Sequence, residues 1–360
     1  MDTSDPLPRW SVIAPIAGWL VLAGTLQGPG TWYALLLAVA LLGSVLAAVH
    51  HAEVVAHRVG EPFGTLVLAV AVTVIEVALI VSLMVSGGPS TTALARDTVF
   101  AGVMIILNGI VGLCLLLGSQ RHGEQSFTQT GVSASLAALA AIVTLSLVLP
   151  NYTLTTPGPV YSPVQLGFVA LVSLVLYGTF VLVQTVRHRD YFLPTEAAQD
   201  ASSHAAPPSV RTSWTSGAFL LVSLGGVVLL GKALAPTIEK GVAALQAPPA
   251  MVGIIIAAVV LLPEGLAAVR AARANRLQTS LNLALGSALA TIGLTIPTVA
   301  VVSLVTGWTL TLGIDVKSTV LLVLSFVVAT LSLGTGRTTV LQGMVHLVIF
   351  AVYLLTTLVP

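Results

Sequence analysis

Two carboxylates stand where carboxylates are rare. Glu76 is the fourteenth residue of the apolar run Phe63–Val85, and Glu264 is the fourteenth of the run Met251–Val269. A charge at the centre of a hydrophobic segment costs on the order of 3 kcal/mol on insertion scales, so such an acid usually faces a cavity and serves function. The remaining acids, Glu53, Asp97 and Asp315 among them, fall in loops or near the ends of apolar runs. Neutral oxygens accompany the pair. Thr65 and Thr73 precede Glu76 at spacings that put all three on one helical face. Asn108 is the only amide in the middle of the run 98–118, and Ser287, Thr291 and Thr295 recur every four residues along the run 280–306. Pro263 and Gly265 flank Glu264. Proline cannot donate to the carbonyl one turn earlier, so the sequence predicts a helix break there, with the Val259 oxygen set free.

This set contains oxygen and nothing softer. Carboxylate, amide, hydroxyl and carbonyl groups suit Ca²⁺, Na⁺ or K⁺, whereas soft transition metals want thiolate or imidazole. Glu76 and Glu264 are thus the metal-ligating candidates, with Thr73, Asn108, Ser287 and Thr291 as supporting oxygens. Hydroxyls in membrane helices often bond their own backbone, which weakens each of them as evidence. Two ionised glutamates carry a charge that one Ca²⁺ or two protons neutralise. An empty, doubly charged site is costly to carry through a dry intermediate. Reorientation is therefore expected only with cation or protons aboard, which is exchange at a shared two-glutamate site. Ca²⁺ for H⁺ is the first expectation and Na⁺ or K⁺ for H⁺ the alternative. The transported ions are the only ligands implied, with no organic cofactor.

The elements that position these groups are membrane helices. Only 8% of the 360 residues are charged, against about a quarter in soluble proteins, and 56% are hydrophobic, with mean hydropathy +1.02. A crossing takes about 20 apolar residues. Runs at 11–26, 31–52, 62–86, 98–118, 131–149, 163–186, 214–235, 249–270, 280–306, 317–334 and 339–359 predict eleven transmembrane helices and an all-α polytopic membrane protein. The alternating strands of an outer-membrane barrel are absent from the pattern. Arginines cluster on one side of this topology, from Arg9 and Arg58 through Arg121, Arg187 and Arg270 to Arg337. Only Arg96, Lys232, Lys240 and Lys317 fall on the other. That bias predicts a cytoplasmic N-terminus and an external C-terminus. The start of the chain reads as a retained helix rather than a removable signal peptide.

One connection, Arg187–Thr212, is long and polar and reads as a flexible cytoplasmic linker at 187–212. It separates a first five-helix repeat at 31–186 from a second at 213–360, with 1–30 holding the extra helix. Five is odd, so corresponding helices cross in opposite directions, the inverted-repeat plan of many secondary transporters. The two acids then occupy the second helix of each repeat.

Other features narrow the field. A net charge of +1 gives no reason to expect nucleic acid, and the single Cys114 forms no internal disulfide. There is no Walker A sequence to drive transport by ATP, and no HExxH for a zinc protease. A cation channel remains a rival class, distinguished by the absence of proton coupling. The expected partners are cations, protons and the lipid bilayer, with oligomeric state left open. His50, His51, Glu53 and His57 lie at the end of the second run. His50, Glu53 and His57 share a face there, suited to pH sensing, gating or interfacial capping. His346 and Gln342 share a face of the last run, where interhelical packing is the simplest role.

The segments GEPFGTLVLAVAVTVIEVALI (60–80), RDTVFAGVMIILNGIVGL (96–113) and LLPEGLAAVRAARANRLQTSLNLALGSALATIGLTIP (261–297) resemble the two α-repeats of the calcium/cation antiporter superfamily. The resemblance is closest to its bacterial ChaA-type calcium/proton and sodium(potassium)/proton antiporters. It implies an alternating-access antiporter in which Glu76 and Glu264 carry cation and protons. Asn108 would match a polar site residue of the first repeat, and Ser287 and Thr291 those of the second. One departure bears on selectivity. Related calcium/proton exchangers place Asn three residues before each acid, in a GNxxE pattern, where this chain has Thr73 and Leu261.

Overall fold

All eleven apolar runs are helices in the computed structural model, which describes residues 7–25, 32–60, 63–193 and 208–359. They are α1 (Arg9–Gly24), α2 (Tyr33–Val59), α3 (Phe63–Gly87), α4 (Leu94–His122), α5 (Gln129–Tyr152), α6 (Pro163–Arg187), α7 (Val210–Ala244), α8 (Ala250–Arg273), α9 (Leu277–Thr306), α10 (Val316–Leu333) and α11 (Val340–Leu358). Among them ten are long and apolar enough to cross a bilayer. The exception is α1, whose 16 residues span about 24 Å at 1.5 Å each, short of a hydrocarbon core of about 30 Å. The chain is an all-helical, multi-pass membrane protein.

Local sequence explains four of the helix starts. Ser162 and Gln165 close a reciprocal capping box with Pro163 at the first helical position of α6. Asp315 accepts from the Ser318 N–H to start α10, and Ser209 accepts from the Thr212 N–H to start α7. Gln342 folds back on Thr339 to start α11. The face it shares with His346 in the sequence is therefore not a shared site: one residue caps the helix and the other is buried.

Contacts divide the chain into two compact units, Met1–Ser86 with Ala205–Val252, and Gly87–His204 with Gly253–Pro360. In the first unit α1, α2 and α7 pack through pairs of small or polar residues at seven-residue spacing. These are Ser11 and Gly18, Ser44 and His51, and Ser216 and Ser223, with every side chain of the five non-glycine residues buried. Without a hydrophobic drive between helices in lipid, close backbone approach and interhelical hydrogen bonds supply the attraction. His51 Nε2 meets the Ser11 carbonyl at 3.0 Å, and Trp19 Nε1 donates to the Val222 carbonyl at 3.0 Å.

In the second unit α4 packs chiefly on α11 and α9, and α9 on α6 and α5. A short antiparallel ladder, β1 (Gln125–Ser126) with β2 (Arg337–Thr338), ties the α4–α5 and α10–α11 connections at one end. At the opposite end Val160 bridges Thr311, and the Leu312 and Gly313 N–H groups donate to the Pro159 carbonyl. Arg121, Arg273 and Arg337 thus gather at one end of this unit, and Arg96 lies at the other, donating to the Gly313 carbonyl.

Most of the polar connection, residues 194–207, lies outside the described residues. Its beginning is not a free tether. Phe192 is buried against Phe180, its carbonyl accepts from Asn282 Nδ2 at 2.5 Å, and the Tyr191 backbone lies against Gly131. An aromatic residue with a partnered backbone holds these residues against the helices, which composition alone did not reveal.

Candidate cation site

Glu264 lies in the middle of α8, 5% exposed. The predicted break at Pro263 does not occur: α8 runs without interruption from Ala250 to Arg273. The turns on either side hold the helix, while the missing proline N–H still deprives the Val259 carbonyl of its usual donor. Glycines set how closely α8 approaches its neighbours. A Cβ on Gly265 would lie 3.2 Å from Ile110 Cδ1, and one on Gly253 would meet the backbone of Asp97 and Thr98. Leu261 and Thr291 both flank Gly102. Helices α8 and α4 therefore run side by side in one direction, bringing Glu264 level with the segment around Ile110.

From α9, Ser287 brings its Oγ to 3.5 Å from Glu264 Oε1. Thr291 and Thr295, one and two turns further along α9, are buried, while Ser287 is partly exposed. The spacing read from the sequence thus delivers a row of hydroxyls, and the first of them reaches the carboxylate.

Asn108 sits in a feature the sequence did not announce. Residues Ile105–Ile110 form a π-helical turn inside α4, all six of them buried. Such turns are rare, cost local hydrogen-bond geometry, and recur at functional sites. The amide is held on three sides. Asn108 Nδ2 donates to Ser325 Oγ of α10 at 2.8 Å and approaches Met104 Sδ at 3.8 Å, while Oδ1 faces His346 Nδ1 of α11 at 3.3 Å. Ser325 in turn donates to the Leu321 carbonyl at 2.7 Å. His346 is fully buried, and its imidazole also meets the Leu107 carbonyl in the π-helical turn. A second π-helical turn, Thr144–Val148 in α5, is completed similarly: Tyr161 donates its hydroxyl to the Leu145 carbonyl at 2.5 Å. Burial pushes that phenol up to about 12, so it remains a donor at any physiological pH.

In the other unit, Thr73 and Glu76 lie one turn apart on α3 and are buried, at 3% and 1% exposure. The backbone of Thr65 belongs to the same helix. The histidine cluster disperses. His50 packs its ring on Trp10, His51 stacks on Phe219 beneath α1, and Glu53 and His57 are exposed. Among the described residues no three metal-ligating groups converge. Packing of α2 against α1 and α7 divides its end between two environments, with His50 against Trp10 and Glu53 and His57 exposed.

Sequence reasoning missed Ser325 and the π-helical turn. A lone serine in an apolar run carries no spacing signal, and no residue pattern in 105–110 marks a π-helical turn.

Comparison with known proteins places this arrangement. The family model described as sodium/calcium exchanger protein matches residues 29–186 and 215–359. A relative in Sinorhizobium fredii, y4hA, provisionally named an ionic transporter, is 51% identical over 99% of this chain and 98% of its own length. The sodium-potassium/proton antiporter ChaA of Escherichia coli is 37% identical over 89% of this chain and 87% of its own. Among solved structures, native YfkE, a Ca²⁺/H⁺ antiporter protein, matches with a TM-score of 0.74 at 15% identity, covering 98% of this chain and all of that one. At that identity the likeness concerns the fold.

Proposed function

Because this chain belongs to the sodium/calcium exchanger protein family, we propose that it is a secondary cation/proton antiporter, exporting a cytoplasmic cation as protons enter. The observation that carries this reading is Glu264, a carboxylate at mid-helix inside the apolar span of α8 with the Ser287 hydroxyl directed at it. Glu76, buried at the matching position of α3, is its counterpart in the first repeat. In this reading each carboxylate takes cation or proton in turn, and Thr73, Asn108, Ser287 and Thr291 add neutral oxygens. A buried pair of charges left empty would hold the protein on one side of the cycle. Coupling then follows from charge, and alternating access exposes the acids first to one side and then to the other. The orientation that fits the arginine bias puts the N-terminus in the cytoplasm and the C-terminus outside.

Two observations bear on the cargo. The position three residues before Glu264 holds Leu261, buried and without a donor oxygen. Calcium takes 6–8 oxygens, so this supply favours the less demanding Na⁺, and the 37% identity to a sodium-potassium/proton antiporter favours Na⁺ or K⁺. Ca²⁺ is the second reading, favoured by the match between one divalent ion and two carboxylates.

The test is dye-monitored proton movement in everted vesicles, with Na⁺, K⁺ and Ca²⁺ added separately over pH 7–9. Antiport releases the acid interior on cation addition, with a half-saturating concentration specific to each ion. Cation flux without any proton movement would instead indicate a channel.

A further inference from the structure

His346 has no part in that exchange scheme, yet it is fully buried on α11 with an imidazole nitrogen against the amide oxygen of Asn108. Hydrogen-bond direction fixes how the two must be arranged. Ser325 Oγ donates to the Leu321 carbonyl, so toward Asn108 it can only accept. The Asn108 atom 2.8 Å from Ser325 is therefore the NH₂ group, and the oxygen faces His346. An amide oxygen only accepts, so His346 carries its proton on Nδ1. The chain of donors runs one way, from His346 Nδ1 to Asn108 Oδ1 and from Asn108 Nδ2 to Ser325 Oγ, ending at the Leu321 carbonyl. Both amide hydrogens have neighbours, Ser325 and Met104 Sδ. Among the described residues, His346 is the one hydrogen-bond partner of Oδ1.

Packing holds the imidazole in place. A Cβ on Gly112 would lie 3.0 Å from His346 Cβ, and one on Gly343 would lie 2.9 Å from the Gly112 carbonyl. Helices α4 and α11 therefore meet backbone to backbone at this level. Two residues beyond Asn108, Ile110 packs against Gly265 beside Glu264, so the amide and the carboxylate share one depth, the amide on the face of α4 toward α10 and α11 and Ile110 on the face toward α8.

We propose that His346 is a positioning residue of the cation site, locking the Asn108 amide so that its oxygen, rather than its NH₂ group, is the face offered to the transported ion. The proposal deepens the reading of Asn108 as a site residue and rests on it. Without the Nδ1 donor, oxygen and nitrogen can exchange places by a half-turn of the amide, and an NH₂ group repels a cation. Because the lock acts through a single neutral hydrogen bond, its loss should weaken cation binding about two- to tenfold.

The experiment measures cation-dependent proton release in everted vesicles, using whichever of Na⁺, K⁺ and Ca²⁺ gives the largest signal with the unaltered chain. His346→Leu should raise the half-saturating concentration about two- to tenfold while the maximal rate stays close to that of the unaltered chain. His346→Asn places an N–H near the position of Nδ1 and should restore the low value, whereas His346→Gln, which mimics Nε2, should not. A merely structural histidine would show no such split between the two amides. Ser325→Ala, a small change that frees the nitrogen end of the same amide, should raise the half-saturating concentration in the same direction, and decides the matter if His346→Leu fails to insert. An unchanged value in inserted His346→Leu or Ser325→Ala, or equal behaviour of the Asn and Gln variants, overturns the proposal. Asn108→Ala separates the two levels of inference. If it is impaired while His346→Leu is not, the lock alone fails; if it is unaffected, Asn108 is no site residue and the lock falls with it.

Discussion

Ser287 Oγ stands 3.5 Å from Glu264 Oε1, a hydroxyl of α9 directed at the buried carboxylate of α8. The distance is at the long end for a hydrogen bond, so the contact orients more than it stabilises. Replacing Ser287 with Ala should raise the half-saturating cation concentration about twofold to threefold, below the full worth of a neutral hydrogen bond. The maximal rate should be preserved. A loss of activity as complete as that of a carboxylate variant would mean that the serine itself ligates the ion.

Glu76→Gln and Glu264→Gln keep shape and burial but remove the charge and the exchangeable proton. Each should reduce cation-evoked proton release to that of vesicles lacking the protein, with the amount inserted unchanged by immunoblot. Full activity in either variant would remove that residue from the exchange scheme.

Protons and cation compete for the same two carboxylates in this scheme, so cation affinity must fall as the medium becomes more acid. The half-saturating concentration should rise by up to about tenfold per pH unit for each proton displaced, because binding the ion releases those protons. Measured between pH 7 and 9, a flat profile would indicate transport without competition.

Selectivity should move with the residues three before each acid. Installing amides at both, as Thr73→Asn with Leu261→Asn, exchanges a hydroxyl for an amide oxygen at one position, adds an oxygen at the other and should shift preference toward Ca²⁺. The readout is the ratio of half-saturating concentrations for Ca²⁺ and Na⁺ in one vesicle preparation. Leu261 is 1% exposed beside Gly102, so some stability should be lost as well. An unchanged ratio in the inserted double variant would place selectivity elsewhere.

Glycines on the two faces of the second unit should respond oppositely. On α11, Gly343 faces the backbone of α4, where a Cβ would collide with the Leu116 nitrogen. Gly343→Val should destabilise the detergent-solubilised protein by about 1–3 kcal/mol, as overpacking does. Gly178 in α6 has nothing within 4 Å of its Cβ position, so Gly178→Ala should stabilise by roughly 0.5–1 kcal/mol through helix propensity. Thermal midpoints of the two purified variants check both signs.

Hydropathy determined the helices because the cost of placing a segment in lipid is a local property, summed residue by residue along 20 positions. The same locality made Glu76 and Glu264 conspicuous: an acid inside an apolar run is improbable wherever the run lies in space. The helical period further put Ser287 and Thr291 on one face of α9, and the structure delivers Ser287 to Glu264. Tertiary packing decided what local rules leave open. Asn108 meets Ser325 and His346 across more than 200 residues of sequence, because close approach of α4 to α11 and a π-helical turn bring them together. Pro263 leaves α8 continuous although its own chemistry predicts a break, since neighbouring turns still hold the helix. The histidines at the end of α2 separate into buried and exposed positions once α1 and α7 cover one side of it. The sequence by itself determined which groups lie at membrane depth, while their hydrogen-bond directions belong to the packed structure, where a buried amide such as Asn108 takes its partners from other helices.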